Sequence, residues 1–237
     1  MTGDPAEPPR SLIPSSPHLL ISSSPIPPIA AIVLAAGESS RLGAFKPLLP
    51  WPAEESAETL VGYQVCQLRE AGLGPVIVVT GHQADEVGAA AIAAGAVVVH
   101  NAQHRLGKAT SVRVGVAAAP AGIALLVVGV DQPRPAWLFR QLAGVLTAGQ
   151  EIVIPTYGGR RGHPVLFAAR LRDELLAVRE ETLGLRAVVQ RHVADVGYVE
   201  IASPLVLVNL NTPEDVAEGR LFARVFPAAG VSPPKRT

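Results

Sequence analysis

The chain is short of cysteine, of any excess charge, and of uninterrupted apolar runs. Its one cysteine, Cys66, leaves no internal disulfide and no multi-cysteine metal site, and fits a reducing, cytoplasmic compartment. Twenty Lys and Arg balance twenty Asp and Glu, so there is no global basic footprint for nucleic acid or an anionic membrane. The longest stretch without a charge or hydrogen-bonding side chain, Val114–Val130, is broken by Pro120 and Gly122. Neither half approaches the ~20 residues of a membrane span. No internal repeat is visible, and no Ser-His-Asp or Cys-His arrangement for nucleophilic catalysis.

What the chain does have is apolar mass. Hydrophobic residues are 49% and charged residues 17% of 237, enough for one sizeable core. Residues 1–28 hold eight prolines and six serines and read as a flexible polar arm; Pro14, Pro17, Pro25, Pro27 and Pro28 break the apolar segment that a signal peptide would need. Residues 227–237 read as a second tail, which leaves one domain over 29–226.

Within that domain, short β-branched runs alternate with helical patterns. Strands are expected at Ile29–Leu34, Val76–Thr80, Ala96–Val99, Ile123–Val130 and Glu151–Pro155. Helices are expected at Thr59–Ala71, Ala84–Ala94, Ala109–Ala118 and Pro135–Ala148. Strands apolar on both faces imply a mostly parallel sheet covered on both sides, an α/β/α arrangement. Further on, the pattern predicts strands at Pro164–Ala168, Val196–Ile201 and Leu205–Val208 and helices at Leu171–Val178 and Gly184–His192. A last helix is opened by Thr212-Pro213-Glu214-Asp215, with Thr212 as cap. Cys66 is expected on the apolar face of its helix, in the core.

The most informative stretch runs from Leu34 to Leu49. It leaves a buried first strand, and open α/β sheets bind ligands at that carboxyl edge. Gly37 and Gly43 allow close approach of backbone to ligand, and Arg41 and Lys46 add two positive charges on one loop, the pair expected around a polyphosphate. The stretch is not a Walker A sequence, because Lys46 lacks the preceding Gly and following Ser or Thr. Nor is it G-x-G-x-x-G. The alternative is a Gly/Ser turn with solvated charges. A second pointer is Asp131-Gln132-Pro133 at the end of a buried strand. A carboxylate there suits Mg²⁺ bound together with phosphate oxygens, or a cap on the helix near Pro135.

Read as a whole, Leu34–Leu49 resembles the L-A-A-G-x-S-x-R-x-G-x-x-K-x-L-L motif of nucleotidyltransferases with a Rossmann-like, glycosyltransferase-A-like fold. The chain is similar to their MobA-like and MocA-like members, most of all the molybdenum-cofactor cytidylyltransferase branch. Gly37, Ser39, Arg41, Gly43, Lys46, Leu48 and Leu49 meet every fixed position. The resemblance extends over roughly residues 29–225 and implies an enzyme. Arg41, Lys46 and Asp131 would be catalytic, and Leu34, Ala35, Ala36, Gly37, Ser39, Gly43 and Lys46 would bind the nucleotide. Asp131 would hold Mg²⁺.

Three weaker segments join this reading. Thr80-Gly81 follows a strand and would line the nucleotide cleft through its backbone. Gly107-Lys108-Ala109-Thr110-Ser111 resembles the family's Gly-Met-x-x-Ser segment, with Lys108 where Met is usual. Ser111 would bond ribose or base, or Thr110 and Ser111 would simply cap a helix. Gly162-His163-Pro164 is similar to the acceptor-binding segment, with Arg160 and Arg161 either holding an acceptor phosphate or forming a solvated pair.

Asn209 and Asn211 stand where the family usually closes its metal site with Asp-x-Asp or Asn-x-Asn. Amide oxygens are weaker metal ligands than carboxylates. His18, His100, His104 and His192 show no partners at metal-ligand spacing and receive no role.

Within the resembled branch, Leu-Ala-Ala-Gly goes with cytidine and Leu-Ala-Gly-Gly with guanine, so Ala36 points to CTP as donor. The implied acceptor is the phosphate of a molybdopterin-type molybdenum cofactor, with pyrophosphate released and a molybdoenzyme client downstream. GTP or a sugar phosphate as substrate, or a non-catalytic nucleotide-binding accessory role, remain the alternatives.

Overall fold

The computed structural model describes residues 27–39, 42–146 and 150–225. Arg41, nearly all of the expected N-terminal arm and the expected C-terminal tail lie outside the described residues.

The first strand, β1 (Ile29–Ala35), is buried along its whole length. Its alternating side chains divide the core in two. Ile29, Ala31, Val33 and Ala35 face one apolar layer, whereas Ala30, Ile32 and Leu34 face the other. A strand buried on both faces belongs in the middle of a covered parallel sheet. β2 (Val76–Thr80) and β4 (Ala124–Gly129) flank it in parallel, and β3 (Val97–His100) extends β2 at the edge. Beyond β4 the sheet becomes mixed. β7 (Val165–Phe167) runs antiparallel to β4 and to β5 (Ile152–Tyr157), and β8 (Val196–Glu200) runs parallel to β5. A two-residue strand, β6 (Arg160–Arg161), makes a hairpin with β5. The order β3-β2-β1-β4-β7-β5-β6, with β8 on β5, is the mostly parallel mixed sheet expected from the alternation of elements.

Helices α1 (Leu60–Glu70), α2 (Ala84–Ala93) and α4 (Ala136–Val145) contribute to the first layer. α3 (Lys108–Ala118), α5 (Arg172–Leu176) and α6 (Leu185–Arg191) cover the second. α3 lies so close to β1 that a Cβ on Gly115 would sit 2.4 Å from Ile32 Cγ2, a contact only glycine permits. α7 (Pro213–Val225) closes the chain. Its start is reciprocally capped: Thr212 Oγ1 accepts from Asp215 N at 3.2 Å, and Asp215 Oδ2 accepts from Thr212 N at 2.9 Å.

Two expectations fail. Leu205–Val208 is no strand but part of a 3-10 turn, Pro204–Leu207. Pro204 has no N–H for a ladder, and the carbonyls of Val206 and Val208 accept from the Arg134 side chain instead. Cys66 is exposed, not core. The buried face of α1 runs through Val61, Gln64, Val65 and Leu68, and two residues beyond Gln64 is a 200° rotation away. Among the described residues no helix is long and apolar enough to cross a membrane.

Candidate active site

β1 and β4 are parallel neighbours, so the segments leaving them emerge side by side. Between these segments and the start of α3 lies a cleft of about 300 Å³. Its walls include Leu34, Ala36, Gly37, Ser39 and Lys46 from the first loop, Asp131 beyond β4, and Lys108 and Ser111 from α3.

The loop is held by Ser39, whose backbone takes the left-handed conformation, φ +56°. Such a conformation costs a non-glycine residue about 1 kcal/mol or more. The Ser39 hydroxyl offsets this by accepting from Lys46 N at 3.1 Å, which closes the loop over seven residues. Lys46 follows on a short 3-10 turn, Lys46–Leu48. Its ammonium donates to Asn211 Oδ1 at 2.9 Å and lies 4.0 Å from Asp131 Oδ2. Residues from three distant parts of the chain thus meet at one point.

Asp131 does not cap α4. The first amide of that helix, Ala136 N, donates to Gln67 Oε1, leaving the Asp131 carboxylate facing the cleft. One carboxylate beside a neutral amide oxygen is a hard donor set that fits Mg²⁺ completed by phosphate oxygens. Asn209 is already engaged, because its Oδ1 accepts from Gln132 Nε2 at 2.8 Å.

Of the remaining predicted residues, Ser111 lines this cleft, whereas Ala35, Gly43, Thr80, Gly81, Gly162, His163 and Pro164 do not. Ala35 has its side chain in the core. Gly43 takes a positive φ in the turn after Leu42. Thr80 is buried and its hydroxyl meets Val99 O at 3.4 Å, while Gly81 is wedged between Ala36 and His104 just behind the cleft. Ser111 Oγ accepts from Asn101 Nδ2 at 2.9 Å. Thr110 and Ser111 do not cap α3. That task falls to Glu180, which accepts from Ala109 N at 2.9 Å.

Gly162 crosses over the 204–207 turn, where a Cβ would lie 2.4 Å from Val206 O. His163 follows, largely buried. Burial above all, then the charges of Lys108 and Arg134, push its pKa down to about 4. Pro164 leads directly into β7.

Several contributors were missed from sequence. Arg134 is fully buried and donates to four carbonyl oxygens: Pro133 at 2.9 Å, His163 at 3.1 Å, Val206 at 3.1 Å and Val208 at 2.7 Å. It therefore ties the Asp131 segment, the His163 segment and the approach to Asn209 together. Burial lowers its pKa to about 9, and the guanidinium stays charged at neutral pH. Gln64, also fully buried, donates to the Gly129 and Gln132 carbonyls from α1. His104 and Arg105 join Lys108 on the cleft wall. A polar residue immediately after Asp-Gln-Pro, and a glutamine on the apolar face of α1, were the signals available for Arg134 and Gln64.

His192, expected to lack partners, is a correction. With Glu151 and Asp195 it forms a group whose ligand atoms lie within 4.8 Å of one another. Its Nδ1 is 2.6 Å from Glu151 Oε2 and its Nε2 2.6 Å from Glu174 Oε1. Glu151 and Asp195 stand at the starts of β5 and β8, both parallel in direction to β4, so this group occupies the sheet edge opposite Asp131.

The profile of the MobA-like NTP transferase domain matches residues 31–196. The molybdenum cofactor cytidylyltransferase of Escherichia coli (strain K12) is 26% identical over 190 residues, covering 79% of this chain and 93% of that protein. A nucleotidyl transferase from Methanothermobacter thermautotroptrophicus is similar in structure, with TM-score 0.71 and 28% identity over 83% of this chain and 98% of that one. Rv0371c from Mycobacterium tuberculosis H37Rv gives TM-score 0.67 and 26% identity over 82% and 98%.

Proposed function

From the premise that the chain belongs to the MobA-like NTP transferase family, we propose that it moves CMP from CTP to the phosphate of a molybdopterin-type molybdenum cofactor, releasing pyrophosphate. The observation that carries this is the meeting of Lys46, Asp131 and Asn211 at the head of the cleft. The E. coli relative is named for the same reaction.

CTP lies along the first loop. Lys46 gives its ammonium to the phosphates, exchanging contact with Asn211 for phosphate oxygens, and Arg41 would add a second charge. Ser111 reaches the ribose or base, and Ala36 narrows the base end against a purine. Asp131, with Asn211 beside it, would hold Mg²⁺, which when bound neutralises phosphate charge and orients the groups that react, while Asn209 stays bonded to Gln132.

The acceptor phosphate is largely a dianion near pH 7, its second pKa being ~6, so no side chain need remove a proton. An acceptor oxygen forms a bond to the α-phosphorus, the bond to the bridging oxygen breaks, and pyrophosphate leaves with the electron pair. Catalysis is positioning and charge stabilisation. By the resemblance of their motif, Gly162, His163 and Pro164 would face the acceptor. His163, neutral above about pH 4, offers hydrogen bonding there and no charge. The single cysteine suits work in a reducing cytoplasm.

The test is pyrophosphate release from CTP, GTP, ATP and UTP, with Mg²⁺ and molybdopterin-bound molybdenum as acceptor. Release with CTP alone is expected. Release with GTP would overturn the base assignment. Nucleotide binding without release from any triphosphate would favour another acceptor or an accessory role.

A further inference from the structure

At the sheet edge opposite Asp131, the chain folds two acids against one imidazole. Glu151 immediately precedes β5 and Asp195 immediately precedes β8. Glu151 N donates to Asp195 O at 3.2 Å, which holds the two strand starts together. Asp195 N in turn donates to His192 O at 2.9 Å, closing a tight turn between the ring and the carboxylate. The side chains of Glu151, His192 and Asp195 thereby converge, with one ligand atom of each within 4.8 Å of the others.

The imidazole is oriented from behind. Its Nε2 hydrogen-bonds Glu174 Oε1 at 2.6 Å, and Glu174 Oε2 accepts from Arg191 at 2.6 and 2.9 Å. An ionised carboxylate can only accept, so the ring proton sits on Nε2 and the Nδ1 lone pair points away from Glu174. Metal-bound histidines receive this same support from a carboxylate behind the ring.

In front of the ring, Nδ1 stands 2.6 Å from Glu151 Oε2. That oxygen is buried and makes no hydrogen bond among the described residues. Two lone pairs do not stand this close unaided, so a positive species belongs between them. The other oxygen, Oε1, is taken by Arg170 Nε at 2.8 Å, which leaves Oε2 as the ligand atom. Asp195 is exposed, and among the described residues it has no ion-pair partner. A proton between Nδ1 and Oε2 would leave Asp195 idle. A divalent cation uses all three groups, and two carboxylates match its charge.

We propose that Glu151, His192 and Asp195 form a structural Zn²⁺ site at the edge of the sheet away from the nucleotide cleft. One imidazole nitrogen with two carboxylate oxygens suits Zn²⁺ better than Mg²⁺ or Ca²⁺, which prefer oxygen alone. Tetrahedral ligation at about 2.1 Å sets ligand atoms about 3.4 Å apart, so Nδ1 and Oε2 need part by less than ~1 Å. Water completes the shell on the exposed Asp195 side. The ion ties β5 to β8 and to the end of α6, and through Glu174 it braces α5.

The experiment titrates Zn²⁺ alone, against a chromophoric chelator, into the full-length Asp131→Asn protein, in which the carboxylate of the nucleotide cleft is absent. One Zn²⁺ per chain is expected. In the same background, His192→Gln and Asp195→Ala should weaken binding about 100-fold or more. Glu174→Gln, which meets the ring only at Nε2, should weaken it about tenfold. At a Zn²⁺ concentration 100 times Kd, the melting temperature should rise by about 5–10 °C, and in Asp195→Ala it should not rise. Without Zn²⁺ that variant should melt like its parent, because the side chain it loses is exposed. On Zn²⁺ addition the nitrogen-15 resonance of His192 Nδ1 should move, while Nε2 keeps its proton.

No binding, or equal affinity in His192→Gln and Asp195→Ala, would overturn the proposal. So would a His192 ring protonated on both nitrogens in saturating Zn²⁺, which would make the 2.6 Å approach to Glu151 a charged hydrogen bond. None of these outcomes depends on nucleotidyl transfer, so the two readings stand or fall separately.

Discussion

Lys46 and Asn211, 165 residues apart in the chain, are joined by a 2.9 Å hydrogen bond across the head of the cleft. The lysine also sits 4.0 Å from the Asp131 carboxylate. In this arrangement the ammonium stands beside the oxygens expected to take a divalent cation. Two positive charges repel strongly at that distance. Under the proposed function, binding of nucleotide and metal would move the Lys46 ammonium from Asn211 toward the phosphates.

Lys46→Ala should lower the rate of pyrophosphate release by at least ~100-fold, the scale of losing one transition-state donor. Nucleotide binding, followed by calorimetry, should weaken far less. A variant within a few-fold of wild type would remove Lys46 from the chemistry.

Asp131→Asn should cut the rate by a similar ~100-fold or more and raise the Mg²⁺ concentration needed for half-maximal activity. The isosteric amide keeps the shape of the loop, so its melting temperature should stay close to that of wild type. Unchanged Mg²⁺ dependence would place the metal elsewhere.

Ala36→Gly removes the methyl that abuts Gly81 at the nucleotide cleft. The ratio of kcat/KM for CTP over GTP should fall about tenfold, the usual weight of a small steric difference in a pocket. An unchanged ratio would mean that other residues read the base.

Arg134→Met should cost about 3–5 kcal/mol, because four carbonyl oxygens lose their buried donor. Thermal unfolding should register this as a drop of roughly 10 °C or more. A loss below 1 kcal/mol would show that water takes over the guanidinium's contacts.

His163 has a folded pKa of about 4 against 6.5 for the free side chain. The unfolded chain thus takes up a proton that the folded chain refuses, and stability falls as pH drops through 6.5 toward 4. Melting temperatures across that window should decline less steeply in His163→Gln. Parallel curves for the two proteins would refute burial as the cause.

Much of the architecture could be read from alternation alone. β1 and β4 are buried on both faces, and that doubly apolar pattern has few structural meanings. The bend of the first loop was legible because Ser39 and Lys46 stand at fixed offsets, and their hydrogen bond closes it. What stayed hidden is long-range and polar. Arg134 looks in sequence like any surface arginine, since its four acceptors come from three segments brought together only by the fold. Cys66 shows the converse. A helix of small and apolar residues has no sharp stripe, and the buried position went to Gln64, whose amide is satisfied by carbonyls 65 and 68 residues away. Leu205–Val208 has strand composition, but a proline and a distant guanidinium took the backbone out of the sheet.

The change of strand direction beyond β4 divides the labour of the molecule. The wholly parallel part, β1 to β4, carries the first loop, and the mixed part, β5 to β8, frames a second cleft lined by Arg160 and Asn211. The boundary between them falls in the segment from Asp131 to Arg134, so under the proposed function donor choice and acceptor choice would reside in successive stretches of one chain. Exchanging residues 150–225 with those of a relative should trade one acceptor for another and leave the preferred triphosphate untouched. A fold organised in this way lends itself to diversification by recombination, with Arg134 as the seam at which new halves must still fit.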